Sequence, residues 1–165
     1  MRNDPPILLL AEDSETDTLL MKSACRKAGF TNPLQTVKDG VEAMNYLAGE
    51  APYTDRYQFP LPTVLLLDLN MPRKNGFEVL AWVRQHPALK RLPIFVLSSS
   101  ERVVDVEQAF NLGANAYLMK PGTLHELIDL AKCLGEWLAF NHFSPCPELA
   151  EPGSGVFAPE TQKAA

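Results

Sequence analysis

Short apolar runs recur along the chain, each separated from the next by a longer amphipathic stretch, and Ile7–Ala11, Thr63–Leu67 and Ile94–Leu97 contain no charged residue. A strand with one face in water alternates polar with apolar positions, so an unbroken apolar run belongs to a strand covered on both sides. Helices on both faces of a parallel sheet supply that cover. Leu34–Val37 and Ala116–Met119 complete five strands. The first helix opens at Ser14-Glu15-Thr16-Asp17, which has the form of a capping box, and ends near Gly29. The second carries Val41, Met44, Tyr46 and Leu47. The third follows Gly76, with Val79, Leu80, Trp82 and Val83 on its buried side; the fourth runs from about Glu101 to Leu112, and the fifth from Thr123 to about Phe140. The expected fold is α/β: a doubly wound, five-stranded parallel sheet in the flavodoxin-like order 2-1-3-4-5, with five helices.

Two segments depart from the pattern. Glu50–Pro62 is longer than most connections in such folds, and its Tyr53, Tyr57 and Phe59 are expected to pack over the neighbouring surface. After about Asn141 the chain becomes rich in Pro, Gly and small residues, so 5–143 is expected to be one domain and 144–165 a flexible tail. The net charge of −5, with no run of basic residues, argues against binding to nucleic acid or to an anionic membrane surface. No stretch approaches membrane-spanning length. Cys25, Cys133 and Cys146 form an odd set without Cys-x-x-Cys spacing, which fits reduced thiols in the cytoplasm. His86, His125 and His142 have no second ligand at metal spacing. Trp137, Phe140 and Phe143 either close the core or face a partner.

The polar residues at the strand ends carry the chemistry. Glu12-Asp13, Asp68, Ser98 and Lys120 each follow or end an apolar strand, so they share the carboxyl rim of the sheet. Ligands bind at that rim where strand order reverses, here between strands one and three. Like charges about 4 Å apart repel by roughly 4 kcal/mol at an effective dielectric of about 20, so a cation should sit among the carboxylates. An all-oxygen donor set favours a hard ion such as Mg²⁺. A metal, an ammonium and a hydroxyl around one carboxylate are the parts phosphoryl transfer requires, with Asp68 as nucleophile forming an acyl phosphate. Taken singly, Asp13 reads as a helix cap, Ser98 as a loop hydroxyl, Lys120 as a surface charge and Asp68 as a turn residue. Their convergence on one rim favours the chemical reading.

At these positions the chain resembles the receiver domain of two-component response regulators, from about Ile7 to the last helix. The resemblance rests on Glu12-Asp13, on Leu67-Asp68-Leu69-Asn70-Met71-Pro72-Arg73-Lys74-Asn75-Gly76, on Leu97-Ser98-Ser99 and on Tyr117-Leu118-Met119-Lys120-Pro121. The second of these runs and the long Glu50–Pro62 segment further resemble the single-domain regulators that partner with phytochrome histidine kinases. The resemblance implies that Asp68 accepts a phosphoryl group from a sensor kinase's phosphohistidine and that Glu12, Asp13, Asp68 and the Asn70 backbone carbonyl hold Mg²⁺. It implies that Lys120 pairs with the phosphoryl oxygens, aided by a cis peptide before Pro121. Ser98 would then bond to the phosphoryl group while Tyr117 turns inward. It also implies autodephosphorylation and a readout through the fourth helix, fifth strand and fifth helix, where Val106, Phe110, Tyr117 and Met119 form a candidate apolar or homodimer surface.

Other readings compete with this one. A flavin-binding module of the same fold needs a phosphate loop after the first strand, where Glu12-Asp13 would repel the anion. A haloacid-dehalogenase-type phosphatase resembles Asp-x-Asp after its first strand, whereas here Asp68 ends the third and position 70 is Asn. A receiver-like scaffold that is never phosphorylated also fits the residues. With no room for an output domain in 165 residues, signalling is expected to run through protein contacts of the domain itself.

Overall fold

The computed structural model describes residues 5–141 and 143. The expected tail 144–165, with His142 and Cys146, lies outside the described residues. The elements follow in the order β1 (Leu8–Ala11), α1 (Glu15–Lys27), β2 (Leu34–Val37), α2 (Gly40–Ala48), β3 (Val64–Leu67), α3 (Gly76–Gln85), β4 (Ile94–Ser98), α4 (Val103–Asn111), β5 (Ala116–Met119) and α5 (Leu124–Phe140). All strand pairings are parallel and the sheet order is β2-β1-β3-β4-β5, as the apolar runs predict. Every residue of β1, β3 and β4 is buried.

Alternate side chains divide the core between the two faces. Leu9, Leu65, Leu67 and Val96 pack under α2, α3 and α4 with Leu47, Val79, Leu80 and Ala109. Leu8, Leu10, Leu66 and Leu97 pack on the other face with Met21, Ala24, Leu134 and Leu138 of α1 and α5. Trp137 joins this second core, its ring 4.8 Å from Phe95 and 5.2 Å from Phe143, whereas Phe140 is exposed. That sorts the aromatic stripe of the last helix into a core member and a surface one. Trp82 is half-buried and tilts against His86, while His125 is exposed beside Asp129.

Helix starts depart from expectation in an informative way. Ser14 caps α1 by accepting a hydrogen bond from Asp17 N–H at 3.1 Å, but its own N–H donates to Glu12 Oε1 at 3.1 Å. The capping box is therefore half formed, and the Asp17 carboxylate reaches the strand-end rim instead. Full boxes occur at Asn75 with Glu78 and at Thr123 with Glu126.

The Glu50–Pro62 connection is ordered around a residue that the sequence pattern does not single out. The Arg56 guanidinium donates to the carbonyls of Tyr46 at 2.7 Å, Leu47 at 2.9 Å and Phe59 at 3.1 Å, satisfying backbone acceptors at the end of α2. Tyr53 and Phe59 pack edge-on with centroids 5.1 Å apart, and both lie against Tyr46, whose hydroxyl donates to the Pro60 carbonyl. Tyr57, by contrast, is fully exposed. Arg84, on α3, in turn ties down the connections before β4 and β5, donating to the Leu92 and Gly113 carbonyls and to Asn115 Oδ1.

Burial separates the two described cysteines. Cys25 sits in the α1 core, which pushes its thiol up to about 11, while Cys133 is exposed on α5. At pH 8 a thiol with that value is about one part in a thousand thiolate. Iodoacetamide at pH 8 should therefore label Cys133 quickly and leave Cys25 unmodified, as peptide mass mapping would report; equal rates at the two would contradict this packing.

Candidate functional site

Three strands deliver the site. β1 ends at Ala11 and passes Glu12 and Asp13 onto the rim; β3 ends at Leu67 and presents Asp68; β5 ends at Met119 and presents Lys120. The order reversal at β1 separates α1 from the helices on the other face and leaves the rim open between β1 and β3. Gly76 permits the close return of the chain after β3, since a Cβ there would collide with the Asp68 carbonyl, and its N–H donates to the Leu69 carbonyl at 3.0 Å.

Glu12, Asp13 and Asp68 each offer a carboxylate oxygen within 4.8 Å of the others. Glu12 and Asp68 are buried and Asp13 is exposed, so the cluster opens to solvent on one side. Lys120 closes another side: its Nζ lies 2.7 Å from Glu12 Oε2, 3.0 Å from Asp68 Oδ2 and 3.3 Å from Asp17 Oδ2. The three ammonium donors thus meet three carboxylates. The other oxygen of Asp68, Oδ1, accepts from Asn70 N–H at 3.3 Å. Burial pushes the Glu12 carboxyl up against the pull of Lys120, and the Asp68 charge adds to the rise. For Lys120, burial works downward, but the Glu12 and Asp68 carboxylates outweigh it and hold the ammonium above its ordinary value. Lys120 is therefore a fixed positive charge.

These residues fit a divalent cation on the chemistry of their donors. Three hard oxygens converge, one of them solvent-facing, and no described His or Cys joins them. A single ammonium leaves the set net negative. Ser98 is fully buried at the end of β4; its Oγ accepts from Ser100 N–H at 3.1 Å, and its carbonyl accepts from Lys120 N–H at 2.9 Å. Tyr117 is half-buried on β5, and its hydroxyl donates to the Ser100 carbonyl at 2.9 Å. The segment after Ser98 is thereby tied to β5.

One expectation is corrected. The peptide before Pro121 is trans, and the cis peptide among the described residues is Ala51-Pro52. A trans bond is the lower-energy form before proline, and it already brings the Lys120 ammonium to both buried carboxylates. Of the proposed surface residues, Phe110 and Met119 are about half exposed, whereas Val106 is half-buried. Exposed Val103 and Val104 extend that apolar patch along α4. The periodicity missed both, because it marks buried positions rather than exposed apolar ones. It also missed Asp17, whose place beside Lys120 depends on the approach of α1 to the end of β5.

Comparison with known proteins agrees with this architecture. The sequence profile of the response regulator receiver domain matches residues 8–132. The response regulator Rcp1 of Synechocystis sp. is 37% identical over 130 residues, covering 79% of this chain and 86% of its own. The crystal structure of the phosphorylated cyanobacterial phytochrome response regulator RcpA superposes with a TM-score of 0.78 at 35% identity, covering 86% of this chain and 99% of that one. The Mn²⁺-bound form of Rcp1 superposes with a TM-score of 0.75 at 34% identity, covering 86% of this chain and 100% of that one. With the sheet order, the acidic cluster and the profile match in agreement, the chain belongs to the response regulator receiver domain family.

Proposed function

We propose that residues 5–143 form a phosphoacceptor domain in which Asp68 takes a phosphoryl group from the phosphohistidine of a sensor histidine kinase, in a phytochrome system. The observation that carries this is the Asp68 carboxylate, grouped with the Glu12 and Asp13 oxygens and contacted by Lys120 at 3.0 Å. An Asp68 oxygen attacks phosphorus as the P–N bond to the imidazole breaks; the leaving nitrogen keeps the electron pair and takes up a proton. Glu12, Asp13, Asp68 and the Asn70 carbonyl would hold Mg²⁺, which when bound would supply charge neutralisation for the transferring oxygens. Lys120 supplies the second positive charge and orients Asp68 Oδ2. Hydrolysis then returns the carboxylate: a water oxygen forms the new bond to phosphorus as the bond between phosphorus and the Asp68 oxygen breaks, and the carboxylate leaves with the electron pair.

Kinship with RcpA and Rcp1 supports the phytochrome assignment. In the switch, the Ser98 hydroxyl exchanges its backbone donor for the phosphoryl oxygens. Tyr117 then gives up the Ser100 carbonyl to follow, biasing the segment before α4. The readout surface is α4, β5 and α5, with Val106, Phe110, Tyr117 and Met119 meeting a downstream protein or a second copy of the chain. No described helix is long and apolar enough to cross a membrane, and the reading places the protein in the cytoplasm.

Incubation with acetyl phosphate and Mg²⁺ should give one phosphoryl adduct by intact mass, lost when EDTA replaces the metal. No adduct, or one indifferent to EDTA, would overturn the proposal.

A further inference from the structure

The loop that follows Asp68 is fastened at its tip by a charge pair outside the acidic cluster. Its base is closed by the Gly76 N–H to Leu69 carbonyl bond. At its tip, Arg73 has φ +63°, the left-handed region that a residue with a Cβ rarely adopts, and its guanidinium bonds to Asp39 Oδ2. Asp39 is buried and divides its two oxygens: Oδ2 takes Arg73, while Oδ1 caps α2 by accepting from Glu42 N–H at 2.8 Å. Glu42 adds a second carboxylate 4.0 Å from the guanidinium. The backbones are in contact as well, because a Cβ on Gly40 would collide with the Lys74 carbonyl. Held strain of this kind persists only where the surroundings impose it.

Asn70 lies between the two fastenings, three residues before Arg73 and six before Gly76. We propose that Arg73 and Asp39 form a positioning pair that holds the Asp68–Gly76 loop, and with it the Asn70 carbonyl, in register for the divalent ion. This rests on the reading of the acidic cluster as a Mg²⁺ site. Neither residue belongs to that cluster. Their effect is exerted through the loop backbone, and α2 is the fixed body against which the loop is set.

The test is Mg²⁺ binding by calorimetry on the full chain, paired with thermal melts in EDTA. Asp39→Asn keeps a capping oxygen for Glu42 N–H but turns an amide donor toward the guanidinium, and Arg73→Gln removes the charge from the other side. Each should weaken Mg²⁺ about tenfold, the low end of the range for residues that orient metal ligands without touching the ion. The double variant should be no weaker than either single, and Arg73→Lys should recover part of the loss. Arg73→Gly separates positioning from stability: it loses the charge pair as Arg73→Gln does but relieves the left-handed strain, so its EDTA melt should fall less than that of Arg73→Gln, while Mg²⁺ binds as weakly. Mg²⁺ affinity within about twofold of wild type in both singles, or additive losses in the double, would overturn the positioning role. Asp13→Asn and Asp68→Asn serve as controls. If they weaken Mg²⁺ and the Arg73 variants do not, only the positioning pair is refuted; if wild type binds no Mg²⁺, the metal site and the pair fall together.

Discussion

Asp68→Asn is expected to carry no phosphoryl adduct under conditions that fully phosphorylate the wild type, a loss of the reaction rather than a slowing of it. The amide nitrogen has its lone pair drawn into the carbonyl, and the amide oxygen lacks the charge of a carboxylate, so neither attacks phosphorus. The fold should survive the change. Asparagine keeps the shape of aspartate and an oxygen for Asn70 N–H, and Lys120 retains its 2.7 Å contact with Glu12. Intact mass after exposure to acetyl phosphate and Mg²⁺ reads the outcome directly, and circular dichroism confirms that the variant is folded. An adduct of equal stoichiometry on the variant would place the acceptor elsewhere. Ser98 carries a hydroxyl at the strand ends, but it is wholly buried and already bonded to Ser100 N–H.

Lys120→Ala should show the second large effect, and its size depends on metal. In EDTA the variant leaves Glu12 and Asp68 buried side by side without their shared counter-charge; removing one partner of a buried ion pair costs about 3–5 kcal/mol, and the partial exposure of Lys120 puts it at the low end of that range. Mg²⁺ answers the same repulsion. A ligand that binds only the folded state stabilises it by about 2.7 kcal/mol at roughly a hundred times its Kd, so saturating Mg²⁺ should return most of the deficit. The variant should also bind Mg²⁺ more tightly than wild type, because the competing ammonium is gone. Urea titrations with and without Mg²⁺ measure both quantities. Lys120→Met, which keeps the aliphatic stem, should behave like Lys120→Ala; if it is instead as stable as wild type in EDTA, the residue acts through packing and not through charge.

The fold was legible because its signals are local and redundant. Three charge-free runs, each too short for a buried helix, require a parallel sheet with cover on both faces, and the strands fall within one residue of their expected bounds. The make-up of the rim was legible for a related reason. A parallel sheet brings all strand carboxyl ends to one edge, so Glu12, Asp13, Asp68 and Lys120 converge in space though 108 residues separate the first from the last. Topology converts sequence position directly into proximity there.

Residues whose partners lie across an irregular connection were not legible. Arg56 and Arg84 look like ordinary surface charges in sequence, yet each gathers backbone carbonyls from helix ends and connections that only the tertiary structure brings within its reach. Asp17 seemed to complete a capping box and instead reaches Lys120, because Ser14 N–H is already held by Glu12. A motif reports what a side chain can bond to, and the surroundings decide among the candidates.

From the sequence alone came the five strands, the position of the acidic rim with Glu12, Asp13 and Asp68, and the lysine beside it, since each follows from periodicity and from which residues end the strands; the order 2-1-3-4-5 came from the doubly wound pattern those strands fit. Only the tertiary structure decided the trans bond before Pro121, the three-way sharing of the Lys120 ammonium and the pairing of Arg73 with Asp39. Those depend on where separate loops and helices meet, to within the length of a hydrogen bond, and no repeat along the chain encodes a distance between segments that pack from opposite sides of a sheet.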